Sequence, residues 1–317
     1  MLRSPSLASL RALRTPPQAF PRRLRPCASV APALPRRTAL ALLVAPLAAP
    51  ALAGDPPRPQ PLLVRLGPDD PDAFTYGSVA AAVEAAEAGA VVTIAAGYYA
   101  GRLILSRPVT LAAADAEGKV VLEHSTVNPY EATLQVESPG CVLRGLTLRH
   151  ASPSVASNNC VLVRGGAALT LERCALSSAT GSGLGCEGGV VTARSCSLSG
   201  CRLHGAALYG DLGGESSGES TLEGCTMEGN GGHGVLLRDG VAAALRNCVV
   251  EKNGLFGVEA VDSTLTLVGC TVRSNRRGAV RLERGRGYDA EANALDGALF
   301  VTDQIAENAW RARGAGL

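Results

Sequence analysis

Aromatic residues are nearly missing from this chain: six Tyr, four Phe and one Trp make up 3% of 317 residues. Any core must therefore be aliphatic, because the rings that fill large interior volumes elsewhere are too few. Aspartate, glutamate and lysine are absent from the first 53 residues, which carry eight arginines and abundant Ala, Ser and Pro. That composition excludes an ordinary folded domain there. The chain also lacks a clear membrane span, since its apolar run Thr38–Ala53 is 16 residues long and broken by Pro46 and Pro50; a span needs about 20.

What is present in the second half is a repeat. Ser220–Val241, Ala242–Ser263 and Thr264–Gly285 are three copies of 22 residues. Leu222, Leu245 and Leu267 precede a cysteine by three, Met227, Val250 and Val272 follow it by two, and Asn230, Asn253 and Asn275 follow it by five. Gly234, Gly257 and Gly278 close the copies, the last one residue early. No copy sustains the 3.6-residue period of a helical repeat, and the dense LxxLxL of leucine-rich repeats is missing. Short strand-like runs punctuated by Gly and Asn cannot bury a face alone and must stack on their neighbours, which predicts a β-solenoid.

The Leu-xx-Cys-x-Val-xx-Asn-xxx-Gly-Val pattern resembles the parallel β-helix repeat of the pectin-lyase-like superfamily. The resemblance implies an all-β, right-handed parallel β-helix, here of about eight coils from Val91 to Gly285. Ser78 is expected to cap a helix running to Ala88, with Val79, Val83 and Ala86 on one face and Gly89 as its stop. Such a helix would cover the exposed end of the stack, with residues 54–90 forming the lead strand and cap. After Gly285 the pattern decays. Residues 286–317 read as a tail in which Leu299–Thr302 is one last strand and Gln304–Arg313, with Trp310, a short covering element.

Residues 1–53 read as a targeting peptide. Arg36-Arg37, the apolar run and the small-x-small site Ala51-Leu52-Ala53 resemble a bipartite signal for the chloroplast thylakoid lumen by the twin-arginine route. A mitochondrial presequence and a bacterial signal for the periplasm are the alternatives. Removing the peptide leaves 22 of the 30 basic residues against 28 acids, a net charge of about −6. That balance disfavours nucleic acid and anionic membranes as partners, and no stable membrane anchor is expected after processing.

Stacking turns repeat positions into columns. Cys174, Cys196, Cys225, Cys248 and Cys270 should form a ladder of small buried thiols, a geometry unsuited to zinc or an unstrained disulfide. Cys201 stands off that column, where later coils have Asn. Asn230, Asn253 and Asn275 are expected to pass side-chain hydrogen bonds from coil to coil, at a turn where Asn tolerates left-handed backbone. Arg144, Glu172, Arg194, Glu223 and Arg246, two residues before the cysteine position, alternate in sign and favour one register.

Two further columns carry possible chemistry. Asp239, Asp262 and Glu283 occupy matching turn positions, and calcium prefers an oxygen set of that kind. The resemblance implies the same, because pectate lyases hold calcium on stacked aspartates. Solvated turn acids are the plainer reading, so no cofactor is expected and Ca2+ stands as the one candidate. His204 and His233 share a column with Phe256, and Gly232-His233-Gly234 matches the Gly-His-Gly of polygalacturonases, making both histidines catalytic candidates against a default of stacked exposed rings. The companion motifs of those enzymes, Asn-Thr-Asp, a paired aspartate and Arg-Ile-Lys, are absent, as is the Asp-Pro-His-Glu of mannuronan epimerases.

The repeat is also similar to the β-helix segments of F-box-type, SHC-binding-type and NosD-like proteins, which commonly present surfaces rather than perform chemistry. No F-box or other companion domain accompanies it. The sequence therefore leads us to expect a non-enzymatic scaffold or binding module for a protein or glycan partner, with a polysaccharide lyase, hydrolase or epimerase as the alternative.

Overall fold

The structure, a computed structural model, describes residues 60–115, 119–152, 158–211, 218–285, 287–296 and 299–301. All belong to the second of two compact units, Asp55–Leu317. The targeting peptide, its twin arginine and its cleavage site lie outside the described residues, as does Gln304–Arg313.

Three all-parallel sheets of 11, 9 and 9 strands make the stack. Each coil gives one strand to each sheet, so Val91–Ile94, Gly97–Ala100 and Leu103–Leu105 open the first coil and Gly278–Glu283 ends the eighth. A ninth coil follows, contrary to the expected decay: Gly287–Glu291, Ala294–Leu295 and Leu299–Val301 pair with the strands before them. The repeat is hidden there because Asn293 replaces the cysteine. Its Oδ1 accepts from the Cys270 N–H (2.8 Å) and its Nδ2 donates to the Leu267 carbonyl (2.8 Å).

At the other end, Leu62–Val64 and Thr75–Tyr76 extend the first sheet by two strands. Ser78 caps a helix over Val79–Ala85, its hydroxyl accepting from the Ala81 N–H, and Val79, Ala82 and Val83 are buried. The helix stops before the expected Ala88, because Ala86 already turns extended (φ −66°, ψ 133°) with its side chain buried against the stack.

The interior is aliphatic. Leu143, Leu171, Ala193, Leu222, Leu245 and Leu267 stack in one fully buried column; each buried leucine contributes about 1.5–3 kcal/mol. Beside it, the five column cysteines are buried and free, as are Cys141, Cys160, Cys186 and Cys201. Thiols of Cys174, Cys225, Cys248 and Cys270 donate to the Leu143, Ala193, Leu222 and Leu245 carbonyls of the preceding coil at 3.2–3.6 Å. The charge column also stands in register, Arg144 against Glu172, Arg194 and Glu223 in turn and then Arg246. Arg144 pairs with Glu172 at 2.9 Å and Arg194 with Glu223 at 3.7 Å.

The asparagine ladder differs from expectation in one respect. Positive φ falls on the residues just before it, Gly229 (65°), Lys252 (56°) and Ser274 (54°), rather than on the asparagines. Their amides are used for bonding alone: each Oδ1 of Asn253 and Asn275 accepts from the N–H and the Nδ2 of the asparagine one coil earlier. Cys201 ends the ladder, giving its N–H to Asn230 Oδ1 at 3.0 Å.

Candidate functional site

Most strands of the first sheet alternate between buried and open positions, as in Thr264–Val268. Several strands of the third sheet do not. Val161–Arg164, Ala206–Tyr209 and Val235–Arg238 are buried at three consecutive positions, so residues such as Leu162, Ala207 and Leu236 form a covered floor on the outer face, edged by Arg164, Glu187, Tyr209 and Arg238. A groove of about 210 Å³ lies on this floor.

One wall of the groove is Tyr130. It is 74% exposed and held at φ 61°, a left-handed backbone that bulky residues rarely adopt. The neighbouring Glu131 carboxylate pins that turn, accepting from the Thr126 hydroxyl (2.6 Å) and the Asn128 amide (3.1 Å), with His124 at 3.5 Å and Arg102 at 3.9 Å. Those hydrogen bonds hold its pKa down at about 2. Asn159 lines the floor, its Oδ1 accepting from the Ser182 N–H (3.1 Å). A Cβ on residue 185 would meet its Nδ2, so Gly185 leaves room for the amide in this orientation. Arg164 Nε is closed on Glu187 Oε2 at 3.0 Å. Tyr209 and His204 complete the lining.

The histidine column is not a row of exposed rings. His233 is 5% exposed, stacked between His204 (5.2 Å) and Phe256 (6.0 Å). Each histidine Nδ1 accepts a main-chain N–H from the next coil, His204 from His233 (3.0 Å) and His233 from Phe256 (3.3 Å). An accepting Nδ1 carries no proton, so in both rings the proton sits on Nε2. His233 Nε2 faces Glu259 Oε2 at 3.4 Å. Burial pushes the His204 pKa down to about 4 and lowers that of His233 against the pull of Glu259. Burial works to raise the Glu259 pKa, but His233, Arg281 and Arg238 outweigh it and keep the carboxylate ionised. Arg281 holds Oε1 at 2.7 Å and Arg238 holds Oε2 at 3.2 Å.

Packing explains the Gly-His-Gly tripeptide. A Cβ on Gly232 would meet His204 Nδ1 at 2.6 Å, and one on Gly234 would meet a Val250 methyl at 2.3 Å.

The acidic column needs correcting. Phe256 pairs with Gly278 and Val261 with Glu283, so Asp239 and Asp262 share a position whose third member is Arg284. All three residues have left-handed backbone. The early Gly278 misled the spacing: Ala279 holds the place of Gly257 and the register runs on unshifted. Arg284 donates to Asp262 (3.0 Å) and to Glu283. A guanidinium inside the set does not fit a calcium site, and no group of three metal-binding side chains occurs among the described residues.

Sequence reasoning passed over Tyr130, Asn159, Arg164, Glu187 and Tyr209. Asn128-Pro129-Tyr130 was the available signal, a turn tripeptide displaying an aromatic in a chain with few of them.

Three parallel sheets, one strand per coil, with ladders running along the stack define a parallel β-helix. The family described as the right handed beta helix region matches residues 135–295, just over half of the chain, and the protein belongs to it. Among solved structures, the pectin methylesterase PemA from Erwinia chrysanthemi is similar with TM-score 0.53 and 11% identity, covering 81% of this chain and 97% of that one. The pectate lyase Pel9A is similar with TM-score 0.50 and 15% identity, covering 68% and 64%. At these identities the likeness is one of fold. No curated protein matches the chain in sequence.

Proposed function

We propose that this chain is a non-enzymatic β-helix binding module that presents the outer face of its third sheet to a glycan. One observation carries the reading: on that face the carboxylates of Glu187, Glu259 and Glu283 and the basic ring nitrogens of His204 and His233 are already committed. His233 uses both ring nitrogens, Glu259 both oxygens, and Glu187 and Glu283 are each closed on an arginine. General acid–base catalysis needs a group that can reach a substrate proton and exchange its own; these are held in structural bonds. The known enzymes of similar fold make lyase, esterase and epimerase chemistry the opposing reading. Incubating the protein with pectin and polyuronates, with and without calcium, tests it: we expect neither unsaturated product nor released methanol, and either one would remove the proposal.

For location, we infer from the arginine-rich leader that the mature chain starts at Gly54 in the thylakoid lumen. N-terminal sequencing of the organelle form checks this. A start before Thr38, keeping the apolar run, would point to a membrane tether instead.

A further inference from the structure

Two hydrogen-bond donors in the groove have no partner among the described residues. Asn159 is oriented by Ser182, whose N–H takes Oδ1, and this leaves Nδ2 turned over Gly185 with nothing to donate to. The Nδ1 of His204 is engaged by His233, which fixes the proton on Nε2. The register explains why that Nε2 is free. His233 meets Glu259 from the next coil, whereas the residue stacked before Glu259, two positions along the strand from Gly234, is Leu236. His204 therefore faces an aliphatic position where its neighbour finds a carboxylate.

The charges in the groove cancel. Arg164 and Glu187 close on each other, and His204 stays neutral at ordinary pH. An anionic ligand would give up its hydration without meeting an unpaired cation, a loss that burial makes expensive. A neutral polyol has no charge to desolvate, and its oxygens can accept from both free donors. Tyr130 and Tyr209 add aromatic surface to the lining, Tyr130 on a turn fixed before any ligand arrives; preorganisation of that kind reduces the entropy lost on binding. The volume is below that of drug-sized pockets and suits one ring rather than several.

We propose that the groove lined by Tyr130 and Tyr209 holds one residue of a neutral saccharide chain, with Asn159 Nδ2 and His204 Nε2 donating to its oxygens. This rests on the binding-module reading and narrows it to an uncharged glycan. The test titrates the full protein with mannohexaose, cellohexaose and xylohexaose as neutral probes and with hexagalacturonate as the acidic one, by calorimetry. Asn159→Asp keeps the acceptor for Ser182 and replaces the free donor with an acceptor; Tyr209→Ala removes a wall. The expected result is saturable binding of at least one neutral hexamer, weakened about tenfold or more by each variant with Tm unchanged, as loss of one good hydrogen bond or contact predicts. Absence of binding by all three neutral hexamers, tighter binding of hexagalacturonate, or neutral binding indifferent to both variants would overturn the proposal. Acidic binding without product formation would remove this inference and leave the binding-module reading standing, whereas cleavage of any hexamer would remove that reading itself.

Discussion

Asn253 Oδ1 accepts two hydrogen bonds from one residue of the preceding coil, the N–H of Asn230 at 3.1 Å and its Nδ2 at 2.9 Å. Asn253 Nδ2 in turn donates to the Met227 carbonyl and to Asn275. Replacing Asn253 by Ala strands Asn230 donors and the Met227 carbonyl in a buried corner. At about 1–3 kcal/mol for each buried orphan, Asn253→Ala should lose about 3 kcal/mol or more in urea unfolding. A loss under about 1 kcal/mol would mean water reaches the ladder.

The thiols give a second expectation. Nine free cysteines are buried, so the native protein should resist alkylation, and a denatured chain starting at Gly54 should take nine labels. Two or more disulfides among Cys174, Cys196, Cys225, Cys248 and Cys270 would contradict the register.

Acid should weaken the fold in a defined window. Burial holds His150 and His204 at about 4, below the ordinary value of 6.5. A histidine with a depressed native pKa binds protons more readily when unfolded, so its contribution is full above pH 6.5 and is lost as pH falls toward 4. Glu131, depressed to about 2, acts lower: its contribution is present above pH 4.5 and fades as pH falls toward 2. Thermal melts from pH 7 to 4 should show Tm falling through the histidine window, and less steeply in His150→Gln. A flat profile would refute the assignment.

Calcium should leave Tm unchanged, because Arg284 occupies the third place beside Asp239 and Asp262. Binding at a hundredfold excess over Kd would stabilise by about 2.7 kcal/mol, several degrees in a melt. A calcium-dependent rise abolished in Asp262→Ala would restore the metal site.

Much of the fold was legible because each ladder imposes a residue type at a fixed spacing: thiol, amide, leucine and alternating charge recur from coil to coil over part of the stack. Legibility failed where one ladder changed chemistry without changing geometry. Asn293 does the work of a cysteine, so the ninth coil went unseen. Ala279 stands in for a glycine, so Glu283 was set one place off. The groove was hidden for a different reason. Tyr130 and Asn159 sit on turns of coils that do not repeat, and their adjacency to Tyr209 comes from stacking across separate coils.

The ladders also differ in parity. Thiols and amides recur every coil, but the column Arg144, Glu172, Arg194, Glu223, Arg246 recurs every second coil. Duplicating or deleting a single coil would keep the first two continuous and bring like charges face to face in the third. Adding or removing two coils, about 9.6 Å of stack, satisfies all of them at once. Within this part of the stack the protein can change length without electrostatic conflict only in even steps.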